Sequence, residues 1–192
     1  MLNDFVEKVQ GFIMKPVETF QKIKGGSLGD AFIYYLILLV IYAILSTIVL
    51  AIGMSAMSVY QSIPGFKGAV PVVMFFGTLI GGIIGIFIGG AWLHIFVWAL
   101  GGKKGYVQTV KSIMYGSTPG LLLGWIPIIG FIGGIWTIVL DIFGIKELQE
   151  MSMGRAVAAV VIAGVILIII VLVIAISAFM AVMGAVSGAG AY

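Results

Sequence analysis

The end of the chain constrains its fold most, because the run Ala156–Met183 follows Arg155 and contains no charged side chain. A transmembrane helix needs about 20 mostly apolar residues, so this run predicts a membrane span. Apolar residues make up 62% of the whole chain and charged residues 9%, against roughly 45–50% and 25% in soluble domains. So few charges cannot cover a water-facing surface, and we expect most of the chain to lie in lipid.

Two further spans are predicted closer to the N-terminus. The segment Ala31–Ile52 follows Ser27 and Asp30, whose spacing is that of a capping box at the start of a helix. The segment Pro71–Leu100 begins with a proline, which suits the first turn of a helix. It stops at a pair of glycines followed by lysines, which is typical of a helix end.

The middle of the chain predicts two short helices instead of one ordinary span. Pro119 and Pro127 interrupt an apolar stretch that is too long for a single crossing. We expect helices at Ser112–Trp125 and Ile128–Phe143. The first is about 21 Å long at 1.5 Å per residue, shorter than the hydrocarbon core of about 30 Å. Such a half-span requires cover from other helices.

These five segments predict an all-α, polytopic membrane helical bundle in residues 31–192, preceded by an amphipathic segment in residues 1–30. Of the 10 lysines and arginines, all but Lys67 fall on the side of the N-terminus. Basic residues collect on the cytoplasmic side of membrane proteins. We therefore expect the N-terminus in the cytoplasm and the C-terminus at Tyr192 outside.

The N-terminal segment carries apolar residues at helical spacing, with Lys8, Lys15 and Lys22 recurring every seven residues on the other side. Such a helix can lie in the membrane interface with its lysines in contact with lipid head groups. Alternatively, it packs beneath the bundle. A regulatory contact to a lipid or a partner also stays open. The apolar positions are Phe5, Val9, Phe12, Ile13, Val17, Phe20 and Ile23.

A stripe of glycines, Gly77, Gly81, Gly85 and Gly89, recurs every four residues within the second predicted span. In lipid, small residues at this spacing let two helices approach closely. We expect the stripe to be an intramolecular contact face, packed against the broken pair of short helices. A homodimer seam and the wall of a cavity are the alternatives.

One passage is similar to a known family. A long span ends in Gly-Gly, crosses a short basic loop and re-enters through Tyr115 and Pro119 in LHIFVWALGGKKGYVQTVKSIMYGSTPGLL, residues Leu93–Leu122. This passage resembles the Yip family of membrane proteins, named for interaction with Ypt/Rab GTPases. Its bacterial and archaeal branch is similar at two more places, KPVETFQKI and IWTIVLDIFGIKELQEMSMGRAVAAVVI. Tyr115 and Pro119 match the family's Gly-Tyr-x-x-x-Pro signature, in which Met114 replaces the glycine.

The resemblance implies five membrane segments, a cytoplasmic N-terminus, a prokaryotic plasma membrane and a tendency to associate. Eukaryotic members act in vesicle traffic between endoplasmic reticulum and Golgi. Their Asp-Leu-Tyr-Gly-Pro element and long soluble N-terminal region are not found here, which argues against a Rab-type GTPase partner. What the family implies is a non-enzymatic protein that organises membranes or recruits partners. The candidate partners are membrane lipids, other membrane proteins and a second copy of the chain.

Two ionisable side chains, His94 and Asp141, fall inside predicted spans at similar depth below the inner surface. Ionisable residues are rare in membrane helices and mark functional sites. Because histidine titrates near neutral pH, a His94–Asp141 pair could relay protons or gate a cavity. The alternative is that each group makes an ordinary buried polar contact.

The sequence gives little support for metal binding or catalysis. The chain has no cysteine and one histidine, which leaves too few ligands for a zinc site. Ser117 and Thr118 lack a neighbouring base, and we expect their hydroxyls to satisfy backbone groups freed by Pro119. The basic charge is explained by membrane topology, so no nucleic acid, cofactor, metal or enzymatic activity is expected. The remaining alternatives are a small transporter or channel built on the broken helices around Pro119 and Pro127, and a lipid-handling or membrane-shaping protein.

Overall fold

The computed structural model describes residues 2–55 and 66–189, and all regular secondary structure in these ranges is helical. This confirms the all-α expectation. The side chain of Lys67 and the whole of Tyr192, both used to orient the chain, lie outside the described residues. The helices are α1 (Leu2–Met14), α2 (Pro16–Ile23), α3 (Leu28–Ser55), α4 (Phe66–Ala99), α5 (Tyr106–Gly116), α6 (Thr118–Leu123), α7 (Ile129–Leu148) and α8 (Met153–Ala189).

Four of these helices, α3, α4, α7 and α8, are long and apolar enough to cross a membrane. The third predicted segment is different, because α5 has 11 residues and α6 has 6. The prediction of one helix over Ser112–Trp125 is wrong: a helix begins earlier, at Tyr106, and the chain breaks at Ser117. Proline has no backbone N–H and therefore interrupts the hydrogen bonds of a helix. Pro119 lies in the first turn of α6, just after the break.

Helix α4 also begins earlier than predicted. It starts at Phe66, and Pro71 lies inside it instead of in its first turn. A proline removes one backbone hydrogen bond. Because Pro71 lies near the start of α4, one lost hydrogen bond does not end the helix. Apolar residues and backbone hydrogen bonds continue on both sides of Pro71.

The predicted capping box forms at the start of α3. The backbone N–H of Ser27 donates to Asp30 Oδ2 at 3.1 Å, and the backbone N–H of Asp30 donates to Ser27 Oγ at 3.0 Å. Each side chain therefore satisfies a donor that the helix start leaves unbonded.

The broken pair α5–α6 packs antiparallel against α7. Glycines bring the two backbones together. A Cβ added to Gly120 would lie 2.8 Å from Thr137 Oγ1, and one added to Gly133 would lie 2.8 Å from the carbonyl oxygen of Pro119. Neither position has room for a side chain, so α7 covers the broken helix at contact distance.

The N-terminal segment forms two helices, α1 and α2, whose apolar face packs on the bundle. Phe12 and Phe20 are fully buried. The Phe12 ring centroid lies 4.8 Å from that of Phe20 and 5.1 Å from that of Tyr115 on α5. The sequence allows this segment either to lie in the membrane interface or to pack beneath the bundle. In the structure its apolar face packs beneath the bundle.

Three connections meet at one end of the bundle, which we call the polar end. The Glu150 carboxylate, between α7 and α8, pairs with Lys104 at 2.5 Å and with Lys24. Lys104 lies between α4 and α5, and Lys24 lies between α2 and α3. The N-terminal helices and these three connections therefore lie on the same side of the bundle.

Two adjacent glycines of α7 give opposite predictions. For Gly133→Ala, the new Cβ would meet the Pro119 carbonyl at 2.8 Å, and we expect destabilisation of about 1–3 kcal/mol, as for other overpacked sites. For Gly134→Ala, the Cβ meets nothing within 4 Å, and we expect stabilisation of up to about 1 kcal/mol, because alanine is the better helix former. Thermal unfolding of both variants in the same detergent measures the difference. Equal shifts would contradict the close packing of α6 on α7.

Candidate functional site

A groove of about 600 Å³ opens between α4, α7 and α8. Gly85 and Gly89 on α4 line it, and a Cβ added to either would meet nothing within 4 Å. Gly164 on α8 lines the opposite side. The groove exists because small residues stand where larger side chains would fill the space.

The predicted role of the glycine stripe is wrong for contacts within the chain. Among the residues that the structure describes, an added Cβ at Gly77, Gly81, Gly85 or Gly89 meets nothing within 4 Å. Helix α4 instead makes its close contacts one residue further along. An added Cβ would lie 2.6 Å from Leu39 at Gly82 and 2.7 Å from Val110 at Gly90. Two members of the stripe line the groove, as the cavity alternative anticipated.

Asp141 is one of the residues that line this groove. Its Oδ1 atom is buried against Gly116 and has no hydrogen-bond partner among the described residues. A buried polar atom without a partner costs roughly 1–3 kcal/mol, and in native structures such an atom calls for an explanation.

His94 does not pair with Asp141. Its Nδ1 atom lies 2.8 Å from Thr109 Oγ1, and its ring is edge-on to Tyr106 at 5.9 Å. Thr109 also accepts a bond from Gln149 Nε2 at 2.9 Å. The proposed proton-relay pair is therefore wrong, and His94 belongs to a polar chain that leads to the polar end. Sequence spacing sets the depth of a residue but not the side of the helix that its neighbours occupy.

The motif residues Tyr115 and Pro119 have structural roles. The Tyr115 side chain is buried between Phe12 and Tyr34, with ring centroids 5.1 and 5.2 Å away. It therefore links the N-terminal helices to the bundle. Pro119 lies in the first turn of α6. Its missing N–H leaves the Tyr115 carbonyl free, and the Thr118 hydroxyl donates to that carbonyl at 2.5 Å.

The hydroxyl of Ser117 donates to the Ile113 carbonyl at 2.6 Å, and this carbonyl also accepts the backbone N–H of Ser117 at 2.9 Å. The expectation that these hydroxyls satisfy backbone groups freed by Pro119 is therefore confirmed for Thr118 and wrong for Ser117, whose acceptor already has a backbone bond.

Two residues at the polar end carry roles that sequence reasoning missed. The Lys111 side chain is buried and donates to the carbonyls of Lys24 and Gly26 at 3.1 and 2.6 Å. Glu150 holds its carboxylate between Lys24 and Lys104, with a backbone φ of 54°. Glycine usually occupies this left-handed position after a helix. A non-glycine residue at this position indicates a special role only once the end of α7 is known.

The three lysines of the N-terminal helices line a second, smaller cleft of about 470 Å³. Lys8 pairs with Asp4 at 2.9 Å, and Lys15 lies 4.0 Å from Glu18. Lys22 also lines the cleft. This surface mixes both charges, so it is not a purely basic lipid-binding face.

Metal binding finds no site in the described ranges 2–55 and 66–189. These residues contain no group of three or more histidines, aspartates or glutamates close enough to hold an ion.

Glu150 predicts a pH dependence of stability. Hydrogen bonds from Lys104 and Lys24 lower its carboxyl pKa from 4.5 to about 2. A lowered pKa means that the stabilisation is complete above the unfolded-state pKa of 4.5 and is lost as pH falls from there toward 2. We therefore expect Glu150→Gln to lower the melting temperature at pH 7, by an amount that shrinks below about pH 4.5.

The control is Glu18→Gln, which removes a carboxylate whose side chain is 65% exposed and lies 4.0 Å from Lys15. Exposed pairs of this kind contribute little. Melting curves of both variants from pH 7 to pH 3 measure the effect. A Glu150→Gln difference that is constant across this range would contradict the bridging role.

A comparison with protein families identifies the chain. The model of the Yip1 domain matches residues 11–187. No curated protein and no solved structure matches the chain. The match includes Tyr115, Pro119, both walls of the groove and most of the N-terminal helices. The chain belongs to the Yip1 family of integral membrane proteins.

Proposed function

We propose that the protein is a non-enzymatic scaffold of a prokaryotic plasma membrane, whose N-terminal helices recruit partner proteins at the cytoplasmic surface. One observation carries this proposal: α1 and α2 are fixed to the bundle, with Phe12 and Phe20 fully buried, while their opposite face stays exposed. Binding to a fixed surface does not require the surface to be ordered first, which lowers the entropic cost of association.

Several contacts hold this platform in place. Gln21 of α2 donates to Glu147 of α7 at 3.1 Å. Lys111 bonds the carbonyls that follow α2, and Lys24 pairs with Glu150. The pair α1–α2 is thus attached through aromatic packing on one side and polar bonds on the other.

The exposed face indicates the chemistry of a partner. Asp4, Glu7 and Glu18 alternate with three lysines around the cleft of about 470 Å³. A surface that mixes charges selects a partner with the complementary pattern and rejects like-charge neighbours. A Rab-type GTPase is not proposed, because the sequence element of eukaryotic family members is absent before α3. Transport is not proposed either, because the apolar helices carry few polar side chains that could line a path.

Orientation forms part of the proposal. The N-terminal helices and two connections share the polar end, and the excess of basic residues there favours the cytoplasmic side. Helix α8 starts at Met153 beside that end and is long enough to cross. The C-terminal end of α8 then lies outside, whether or not α5–α7 crosses the full membrane.

The absence of cysteine makes this orientation directly testable. A single cysteine replacing Lys103, beside the polar end, is expected to react with a membrane-impermeant maleimide only from the cytoplasmic side. A cysteine added after Tyr192 is expected to react only from the outside. Labelling of intact cells and of inverted vesicles measures both. Reaction of the two cysteines from the same side would overturn the orientation.

Recruitment is tested by photo-crosslinking in native membranes. A photoreactive amino acid at Gln10, which is exposed and lines the cleft, is expected to give discrete protein adducts. The matched control position is Ile174 on α8, which is 62% exposed on the apolar surface. The charge swap Lys15→Glu with Glu18→Lys keeps the helix and reverses its pattern, and it is expected to lower the adduct yield several-fold. Identical adducts from Ile174, or a yield that the swap leaves unchanged, would contradict the proposal.

A further inference from the structure

The hairpin formed by α5, α6 and α7 runs along only the first half of α3. The Tyr34 hydroxyl of α3 lies 2.9 Å from Thr118 Oγ1. At the turn of the hairpin, a Cβ added to Gly124 would lie 3.2 Å from the ring of Tyr42. Tyr42 is about 21 Å from the start of α3, whose 28 residues span about 42 Å at 1.5 Å per residue. Because Asp30 in the first turn of α3 is charged and exposed, this helix starts at the membrane surface, and the turn lies deep in the bilayer.

The returning arm of the hairpin has the same reach. A Cβ added to Gly144 of α7 would lie 2.9 Å from the Phe20 ring of α2, beneath the bundle. Gln21 of α2 donates to Glu147 in the last turn of α7 at 3.1 Å. The part of α7 above this level, residues 129–143, is about 22 Å long. Both arms are therefore shorter than the hydrocarbon core of about 30 Å.

The turn between the two arms is suited to lipid instead of water. No charged side chain occurs between Ser112 and Leu140, while Ile128 is 88% exposed and Phe131 is 74% exposed. The indole N–H of Trp125 donates to a carbonyl of α6 at 2.8 Å. Four backbone N–H groups donate to carbonyls of the turn and of α6, namely those of Gly124, Ile126, Ile129 and Gly130. In lipid, polar groups must be satisfied within the protein in this way.

The buried core of the bundle ends at a similar depth. Counted from the polar end, the last buried apolar side chains described on the three longest helices are Ala43 on α3, Ile86 on α4 and Ala163 on α8. They lie about 22, 20 and 15 Å along their helices. Further along α8, every residue from Leu167 to Val182 is exposed. In the described part of the chain, the far half thus consists of three helices, whereas the polar half also contains the hairpin and α1–α2.

This arrangement makes the molecule wider at the polar end. A helix about 10 Å wide has a cross-section of roughly 80 Å², so the two arms of the hairpin add roughly 160 Å² to one half of the membrane. Helix α1 lies on the same side, since its Phe5 ring is 5.4 Å from that of Tyr34 on α3. A body that is broad in one leaflet and narrow in the other fits with least strain where the bilayer is convex on the broad side.

We propose that α5–α7 is a re-entrant hairpin and that the protein acts as a wedge, which collects in and bends membranes that are convex on the side of the polar end. In the proposed orientation, such membranes are invaginations into the cytoplasm. A wedge acts on lipid packing and needs no partner protein. The proposal therefore goes beyond recruitment at the N-terminal helices and does not depend on it.

The depth of the turn tests the re-entrant hairpin. The chain has no cysteine of its own, and Ile128→Cys places one at the exposed turn. In sealed vesicles with the purified protein inserted in both directions, this cysteine is expected to resist a membrane-impermeant maleimide and to react once detergent opens the bilayer. The matched control, Lys103→Cys at the polar end, is expected to react in intact vesicles wherever the polar end faces outward.

A nitroxide attached to the same Ile128→Cys variant distinguishes lipid from protein around the turn. We expect frequent collisions with oxygen and rare collisions with a water-soluble nickel complex, as in the hydrocarbon core. Reaction with maleimide in intact vesicles would indicate a full crossing. Rare collisions with both reagents would indicate a turn covered by protein, such as a second copy of the chain. Either result would overturn the proposal.

Membrane tubes pulled from giant vesicles test the wedge itself, with the protein again inserted in both directions. An impermeant dye added outside labels Lys103→Cys only in molecules whose polar end faces outward. It labels a cysteine added after Tyr192 only in molecules of the opposite orientation, so the reversed chain is its own control. We expect the first set to be enriched several-fold in the tube relative to the flat membrane, and the second set to be depleted.

Equal partition of the two sets into the tube, or enrichment of the second set, would overturn the wedge. Both experiments use only purified protein and lipid. Loss of Gln10 adducts in native membranes would leave their results unchanged, so failure of recruitment is distinct from failure of the wedge.

Discussion

The structure depends on the requirement that, in lipid, every backbone N–H and carbonyl group finds its hydrogen bond within the protein. Pro119 has no N–H to offer the Tyr115 carbonyl, and the hydroxyl of Thr118 bonds that carbonyl instead. Thr118 also lies 2.9 Å from the Tyr34 hydroxyl of α3. With α7 packed against the broken pair through Gly120 and Gly133, a broken helix becomes acceptable inside a membrane bundle.

Glycines have two opposite effects in this bundle. On α7, Gly133 removes volume so that a neighbouring backbone fits against the helix. On α4, Gly85 and Gly89 lack side chains and no described neighbour fills the space, which leaves the groove that Asp141 also lines. Adjacent positions on a helix point about 100° apart. The contacts that Gly82 and Gly90 make one residue away therefore turn the regular stripe out of the packed interface.

The polar end fixes the N-terminal helices to the rest of the bundle. Buried Lys111 and the Glu150 carboxylate fix the N-terminal helices to the connections that precede α5 and α8. Tyr115 then packs against Phe12 from the bundle side. The same contacts that present the exposed platform thus set the position of α5 and, through its antiparallel contact with α7, the position of Asp141 at the groove.

The sequence by itself determined the properties that depend on local chemistry. The four long apolar helices, the capping box of Ser27 and Asp30 and the bond from the Thr118 hydroxyl follow from hydropathy, backbone geometry and neighbouring side chains. Tertiary structure alone decided how each helix is rotated about its axis. That rotation separated His94 from Asp141, turned Gly85 and Gly89 toward a groove, and gave Lys111 and Glu150 partners far along the chain. The physical reason is that helical periodicity fixes the faces of a helix, whereas packing against distant residues selects the face that is buried.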